Sequence, residues 1–204
     1  MTKQLRWSGI PSILGGLVLP FAFLLHPTGA LDQLRRTPYT LVHILAGTAL
    51  LLLLLGLFGA FAREGTEIKR VGLLGLLIAC IGTVFEIGYL LVDGFVAPGL
   101  VSSVPAHLHA ADVHTLLVGS LGPVGVTFPL FELCFVAGYL MVAFAILDAH
   151  VFPRWTGLWL FGGALLFGPL TLLPPFVADL GAALLGLGFI EIGYILFFKK
   201  GERA

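Results

Sequence analysis

The chain has few charged residues. Only 11% of its 204 residues are Asp, Glu, Lys or Arg, whereas a soluble domain has about 25%. Hydrophobic residues make up 58% of the chain, so too little polar surface remains to cover a fold in water. This composition excludes an ordinary soluble protein. It predicts an integral membrane protein that forms one domain over residues 1–204, with the lipid bilayer as its first partner.

Excess charge of one sign is also missing, since eleven basic residues balance eleven acidic ones. With no basic patch or acidic tail, nucleic acid is not expected as a partner. The two cysteines, Cys80 and Cys134, lie in apolar runs and are interpreted as small buried residues rather than a disulfide. The sequence has no GxSxG, phosphate-loop or HExxH signature in a usable context, so it leaves open whether the protein is an enzyme.

Long apolar runs dominate what is present. A membrane-spanning helix needs about 20 apolar residues, and the sequence predicts an all-α integral membrane bundle of six transmembrane helices. The predicted spans are 7–25, 39–62, 70–93, 124–147, 155–175 and 178–198. The longest connection runs from 94 to 123, and residues 105–121 within it predict an extra short helix on the outer face.

Basic residues are distributed unequally between the two sides of this predicted topology. Two of them, Arg35 and Arg36, lie on one side and nine lie on the other. Because Lys and Arg accumulate on the cytoplasmic side, both termini are expected to be cytoplasmic, in a bacterial inner membrane. The nine are Lys3, Arg6, Arg63, Lys69, Arg70, Arg154, Lys199, Lys200 and Arg203.

The two halves of the chain resemble each other. The third and sixth spans share the letters EIGY, at 86–89 and 191–194. Weaker matches join AFLLHP at 22–27 to AFAIL at 143–147, and AGTALL at 46–51 to GGALLF at 162–167. Because three spans is an odd number, a duplication would give a 3+3 inverted repeat, as in many secondary transporters. The alternative is chance similarity between Leu-, Gly- and Ala-rich helices.

Five of the six histidines fall on the predicted outer side. Imidazole is a common ligand of zinc and copper, and a pair of imidazoles can hold haem b. We therefore expect a transition-metal or haem site there. We also expect at least two of His43, His107, His109 and His114 to share one ligand. The alternative is that histidines simply favour the membrane interface. The candidate ligands are His26, His43, His107, His109, Asp112 and His114.

Three glutamates lie inside predicted spans. A carboxylate facing lipid is costly, so each should face the bundle interior. Each also has a tyrosine at helical spacing on its own face, namely Tyr89, Tyr139 and Tyr194. The functional interpretation is a proton or ion relay, and the alternative is an acceptor for hydrogen bonds between helices. The candidate relay residues are Glu86, Glu132, Glu191, Tyr89 and Tyr194.

One set of short motifs supports a family resemblance. The motifs are His26–Pro27, the early His43, AR…RVGLLG at 62–75 and FPRW at 152–155. The chain resembles small six-span bacterial membrane proteins of the domain-of-unknown-function 4386 type. The resemblance covers most of the chain and implies the six-span layout, but that family supplies no activity. The histidines at 107–114 depart from its pattern.

Three functions remain open from the sequence. The first is a membrane protein that coordinates a transition metal or haem b near its extracytoplasmic face, for redox chemistry or metal handling. The second is a small inverted-repeat secondary transporter, coupled to protons or cations through its buried glutamates. The third is a non-catalytic subunit or scaffold of a membrane complex, working with other membrane subunits or as a homodimer and needing no cofactor.

Overall fold

The computed structural model describes residues 6–26, 37–64, 70–103, 123–168 and 174–198. Within these ranges the chain forms α-helices and no strand, which confirms the all-α prediction. The helices are α1 (Gly9–Leu24), α2 (Thr37–Glu64), α3 (Arg70–Ser103), α4 (Pro123–Ala149), α5 (Arg154–Phe167) and α6 (Pro175–Phe198).

The helices form a closed ring. Each helix packs on the next one in the sequence, α6 returns to α1, and α2 also reaches across to α6. Small residues allow the helices to pack closely. Gly75 of α3 packs on Met141 of α4, and Gly82, about two turns further along α3, packs on Phe135. Because residue numbers rise along α3 as they fall along α4, the two helices are antiparallel. The same opposite order relates α1 to α2 and α1 to α6.

The outward faces of the helices are apolar. Four helices are long and apolar enough to cross a membrane, over Pro38–Arg63, Arg70–Gly99, Phe128–Ala149 and Phe176–Phe198. Helix α1 is a shorter apolar helix of 16 residues. Large exposed apolar areas are unfavourable in water, so these surfaces suit a lipid bilayer. On α3 the exposed apolar side chains include Val71, Leu74, Leu77, Ile81 and Val84.

Two helix ends differ from the predicted ones. Helix α3 continues to Ser103 rather than ending at 93, so the prediction of a loop from 94 onward is wrong for this stretch. Pro98 has no N–H to donate to the Gly94 carbonyl four residues earlier. The Thr40 hydroxyl of α2 donates to that carbonyl instead, at 2.8 Å. Helix α5 ends at Phe167, short of the predicted 175, and the N–H of its C-cap residue Gly168 donates to the Ala164 carbonyl.

The described arginines lie at one end of the ring, which we call the arginine end. Arg63 ends α2, whereas Arg70 and Arg154 begin α3 and α5, so the antiparallel order puts all three together. The Arg63 Nη1 donates to the Ile195 carbonyl at 3.0 Å, and the Arg6 Nε donates to the Phe197 carbonyl at 3.1 Å. Both cations thus satisfy carbonyls in the last turn of α6.

Candidate functional site at the histidine end

Polar side chains from three helices meet at the opposite end of the ring, which we call the histidine end. His26 follows the last turn of α1, and Tyr39 and His43 lie one turn apart near the start of α2. Asp93 comes from α3, which runs antiparallel to α2. The packing of α1, α2 and α3 on one another therefore brings together residues that lie up to 67 positions apart in the sequence.

The four side chains form one connected cluster. The Nε2 atoms of His26 and His43 lie 3.2 Å apart, and the His43 Nε2 lies 3.1 Å from Asp93 Oδ2. The Tyr39 hydroxyl donates to the same Asp93 oxygen at 2.8 Å. Since His43 is only 1% exposed and Asp93 17% exposed, these contacts are largely shielded from solvent.

The second nitrogen of His43 fixes the tautomer of its ring. Nδ1 lies 2.8 Å from the Tyr39 carbonyl oxygen, which can only accept, so Nδ1 carries a proton. In a neutral ring Nε2 then has a lone pair, which can accept a hydrogen bond from the Nε2–H of His26 at 3.2 Å. The same lone pair faces Asp93 Oδ2 at 3.1 Å, and a proton or a metal ion at Nε2 would turn that contact into an attraction.

Close packing holds the His43 ring in place. A Cβ on Gly94 would lie 2.6 Å from the His43 Cβ, so this position on α3 must lack a side chain for α2 to approach. The rings of Tyr39 and His43 have centroids 4.3 Å apart, and the Phe23 ring stacks on His26 at 6.1 Å. The apolar rings limit the access of water and strengthen the electrostatic contacts of the cluster.

The candidate relay residues lie deeper in the ring. Glu86 and Glu132 are buried, at 2% and 4% exposure. Glu191 is partly buried, with Oε2 shielded and without a hydrogen-bond partner among the described residues. Tyr89 stacks on a ring of α4, whereas Tyr194 is half-exposed on α6.

Two of the four residues in this cluster were expected metal ligands, and the other two were not. His26 and His43 were among the expected ligands, and the structure places them in contact. Asp93 and Tyr39 were not assigned to the site. Asp93 follows Glu86 by seven residues on one helical face, and Tyr39 precedes His43 by four, so both signals were in the sequence.

The other expected ligands, His107, His109, Asp112 and His114, lie outside the described residues. That at least two of His43, His107, His109 and His114 share one ligand stays a prediction. Across the described ranges, no group of three or more His, Cys, Asp and Glu side chains is arranged to hold a metal ion.

The fold and the site together define an all-helical protein with membrane-compatible surfaces and a buried His–Asp–Tyr cluster at one end. Comparison of the chain with protein-family models, with curated proteins and with solved structures gave no match.

Proposed function

We propose that this membrane protein binds a transition-metal ion at the histidine end, in exchange for a proton, and that it handles metal at the extracytoplasmic face. One observation carries the proposal. The His43 Nδ1 is anchored on a backbone carbonyl while its Nε2 faces the His26 Nε2 at 3.2 Å. Metal-ligating histidines typically have their second nitrogen anchored in this way.

The spacing of the two nitrogens suits a single ion. Zinc binds imidazole nitrogens at about 2.0–2.1 Å, so two of them in a tetrahedral shell lie roughly 3.3 Å apart. A haem held by two imidazoles would need about 4 Å between nitrogens on opposite faces of its ring, and Gly94 is already in contact with His43. The proposal therefore favours a bare ion over haem b. Solvent would complete its shell.

Metal titration of the purified protein tests this proposal. We expect zinc or copper affinity to fall at least about tenfold in His26→Ala, since even an outer partner of a metal ligand is worth that much. Binding should also weaken as the pH falls, because protons compete for Nε2, and it should release protons to the buffer.

The matched control is His150→Ala. His150 is exposed and follows α4, at the arginine end. Its removal should leave metal affinity unchanged. Equal affinities for wild type, His26→Ala and His150→Ala would overturn the proposal.

The proposed topology has six inserted helices, with the arginine end cytoplasmic and the histidine end outside, in a bacterial inner membrane. Support comes from the described arginines, which share one end of the ring. Basic residues remain on the cytoplasmic side during insertion.

Cysteine labelling of intact cells tests this orientation with two positions on one helix. Pro38 and Ala62 are exposed at the histidine and arginine ends of α2. In a background with Cys80 and Cys134 changed to alanine, we expect a membrane-impermeant maleimide to label Pro38→Cys in intact cells and Ala62→Cys only after lysis. The reverse pattern would place the histidine end inside.

Helix pairing supports the proposed 3+3 inverted repeat. Helix α3 packs on α4 and α6 packs on α1, so the last helix of each half lies against the first helix of the other half. Each of these last helices carries one copy of EIGY, at 86–89 and 191–194.

A further inference from the structure

A second group of titratable side chains lies in the interface between α3 and α4. Phe85 of α3 stacks on Phe131 of α4 with ring centroids 3.4 Å apart, and Tyr89 stacks on Phe128 at 3.9 Å. These two ring pairs fix the register of the antiparallel helices. They place Glu86 level with residues 130–131 of α4, so Glu86 and Glu132 lie within about two residues of the same level in one buried interface.

Among the residues that the structure describes, no counter-charge compensates Glu86. Neither of its carboxyl oxygens has a hydrogen-bond partner among the described residues, although the side chain is only 2% exposed. Helix α2 presents Gly47 near this level, against Ile87, so its nearest titratable side chain is His43. The described arginines lie at the far end of the ring, with Arg70 sixteen residues back along α3, roughly 24 Å away at 1.5 Å per residue.

An ionised carboxylate in this setting is unfavourable. A buried charge without a partner loses its hydration, and a second carboxylate at the same level adds repulsion. A proton held between the two oxygens removes both penalties, because it neutralises one charge and supplies the missing donor.

We propose that Glu86 and Glu132 form a carboxyl pair that shares a bound proton, and that this pair is a proton-binding site inside the membrane. The proton forms an O–H bond to one carboxyl and a hydrogen bond to the other, and on release it leaves as an ion to water. Proton binding by Glu86 and Glu132 does not depend on metal binding at the histidine end.

The proton can reach the pair from the histidine end. Glu86, Tyr89 and Asp93 follow one face of α3 at steps of three and four residues, which rise about 4.5 Å and about 6 Å along the helix. Tyr89 is thus the titratable side chain between the pair and the His–Asp–Tyr cluster. The other groups that face this path are Glu132 from α4 and Tyr39 and His43 from α2.

Infrared spectroscopy of the full-length protein in liposomes tests the pair. The carbonyl stretch of a protonated carboxyl shifts when H2O is replaced by D2O. We expect the spectrum of wild type minus Glu86→Gln to contain such a band, and wild type minus Glu132→Gln to contain it as well. The double variant should lose no more than either single variant, because the two carboxyls share one proton.

The matched control is Glu191→Gln, which removes the corresponding EIGY glutamate of α6. The helix α1 that packs on it carries no carboxyl. The Glu86-dependent band should persist in this background. Glutamine keeps the shape of glutamate, so the Glu86→Gln protein should melt within a few degrees of wild type.

Three outcomes would overturn the proposal. The first is the absence of the band, which would leave both groups ionised. The second is additive loss in the double variant, which would make the carboxyls independent. The third is removal of the band by sodium ions at constant pH, which would identify a metal-cation site instead.

Discussion

Replacement of Gly16 by valine should prevent the bundle from folding. Gly16 of α1 packs on the backbone of α6, and a Cβ there would lie 2.6 Å from the Gly186 carbonyl oxygen and 2.9 Å from the Ile190 side chain. Overpacking costs about 1–3 kcal/mol when neighbouring side chains can shift. Here the obstacle is main chain, so the upper end of that range or more is expected.

The position of Gly16 in the ring increases this effect. Gly186 packs back on Gly16, and Gly9 and Gly193 form a second close pair further along the same two helices. In a membrane, where lipid is as apolar as the side chains, such close backbone packing is a main source of helix association. The α1–α6 interface also joins the first helix of the ring to the last.

Gly88→Val is the matched control, because no described atom lies within 4 Å of a Cβ at Gly88. The measurement is thermal unfolding in detergent, followed by size-exclusion chromatography. We expect Gly88→Val to behave as wild type and Gly16→Val to be aggregated or absent. Equal melting temperatures would show that α1 and α6 are not packed this closely.

Replacement of His43 by leucine should destabilise the protein by about 1 kcal/mol, the low end of the range for leaving a buried hydrogen-bonding group without its partner. The low end applies because Asp93 retains 17% exposure. The loss arises because the Asp93 carboxylate and the Tyr39 carbonyl each lose a donor. The measurement is the free energy of unfolding in a denaturant series.

The double variant His43→Leu, Asp93→Leu separates this explanation from simple loss of packing. Replacing both members of a buried pair by apolar residues is often neutral. The double variant should therefore recover much of the stability that either single change removes. If instead the two losses add, the histidine and the aspartate are not coupled, and the cation-binding interpretation of the cluster loses its support.

The helical class and the approximate positions of the helices followed from apolar run length alone. The end of α3 did not, because Gly94, Pro98 and Gly99 are individually typical of loops. The hydroxyl that makes a proline tolerable in α3 belongs to Thr40, which is 54 residues away in the sequence. Local propensity cannot include such a partner.

The candidate site was predictable in part for the same reason. His26 and His43 were identified by residue type and by their positions at span ends, which are local properties. The assignment of Asp93 needed the register of α2 against α3, which is fixed by the close approach of Gly94 to His43. The pairing of Glu86 with Glu132 likewise depends on ring contacts between α3 and α4 that no periodicity in a single helix reveals.

The hydrogen bond from Thr40 to the Gly94 carbonyl has a mechanical consequence. A helix bends most easily where a proline has opened its hydrogen-bond ladder, so Gly94–Pro98 is a hinge in α3. The Thr40 hydroxyl, in the first turns of α2, restrains that hinge by its hydrogen bond to Gly94. Tyr39 and His43 contact the carboxylate of the neighbouring Asp93. A change in the charge of the cluster therefore acts on this hinge, and it should shift the last turns of α3 relative to the rest of the helix.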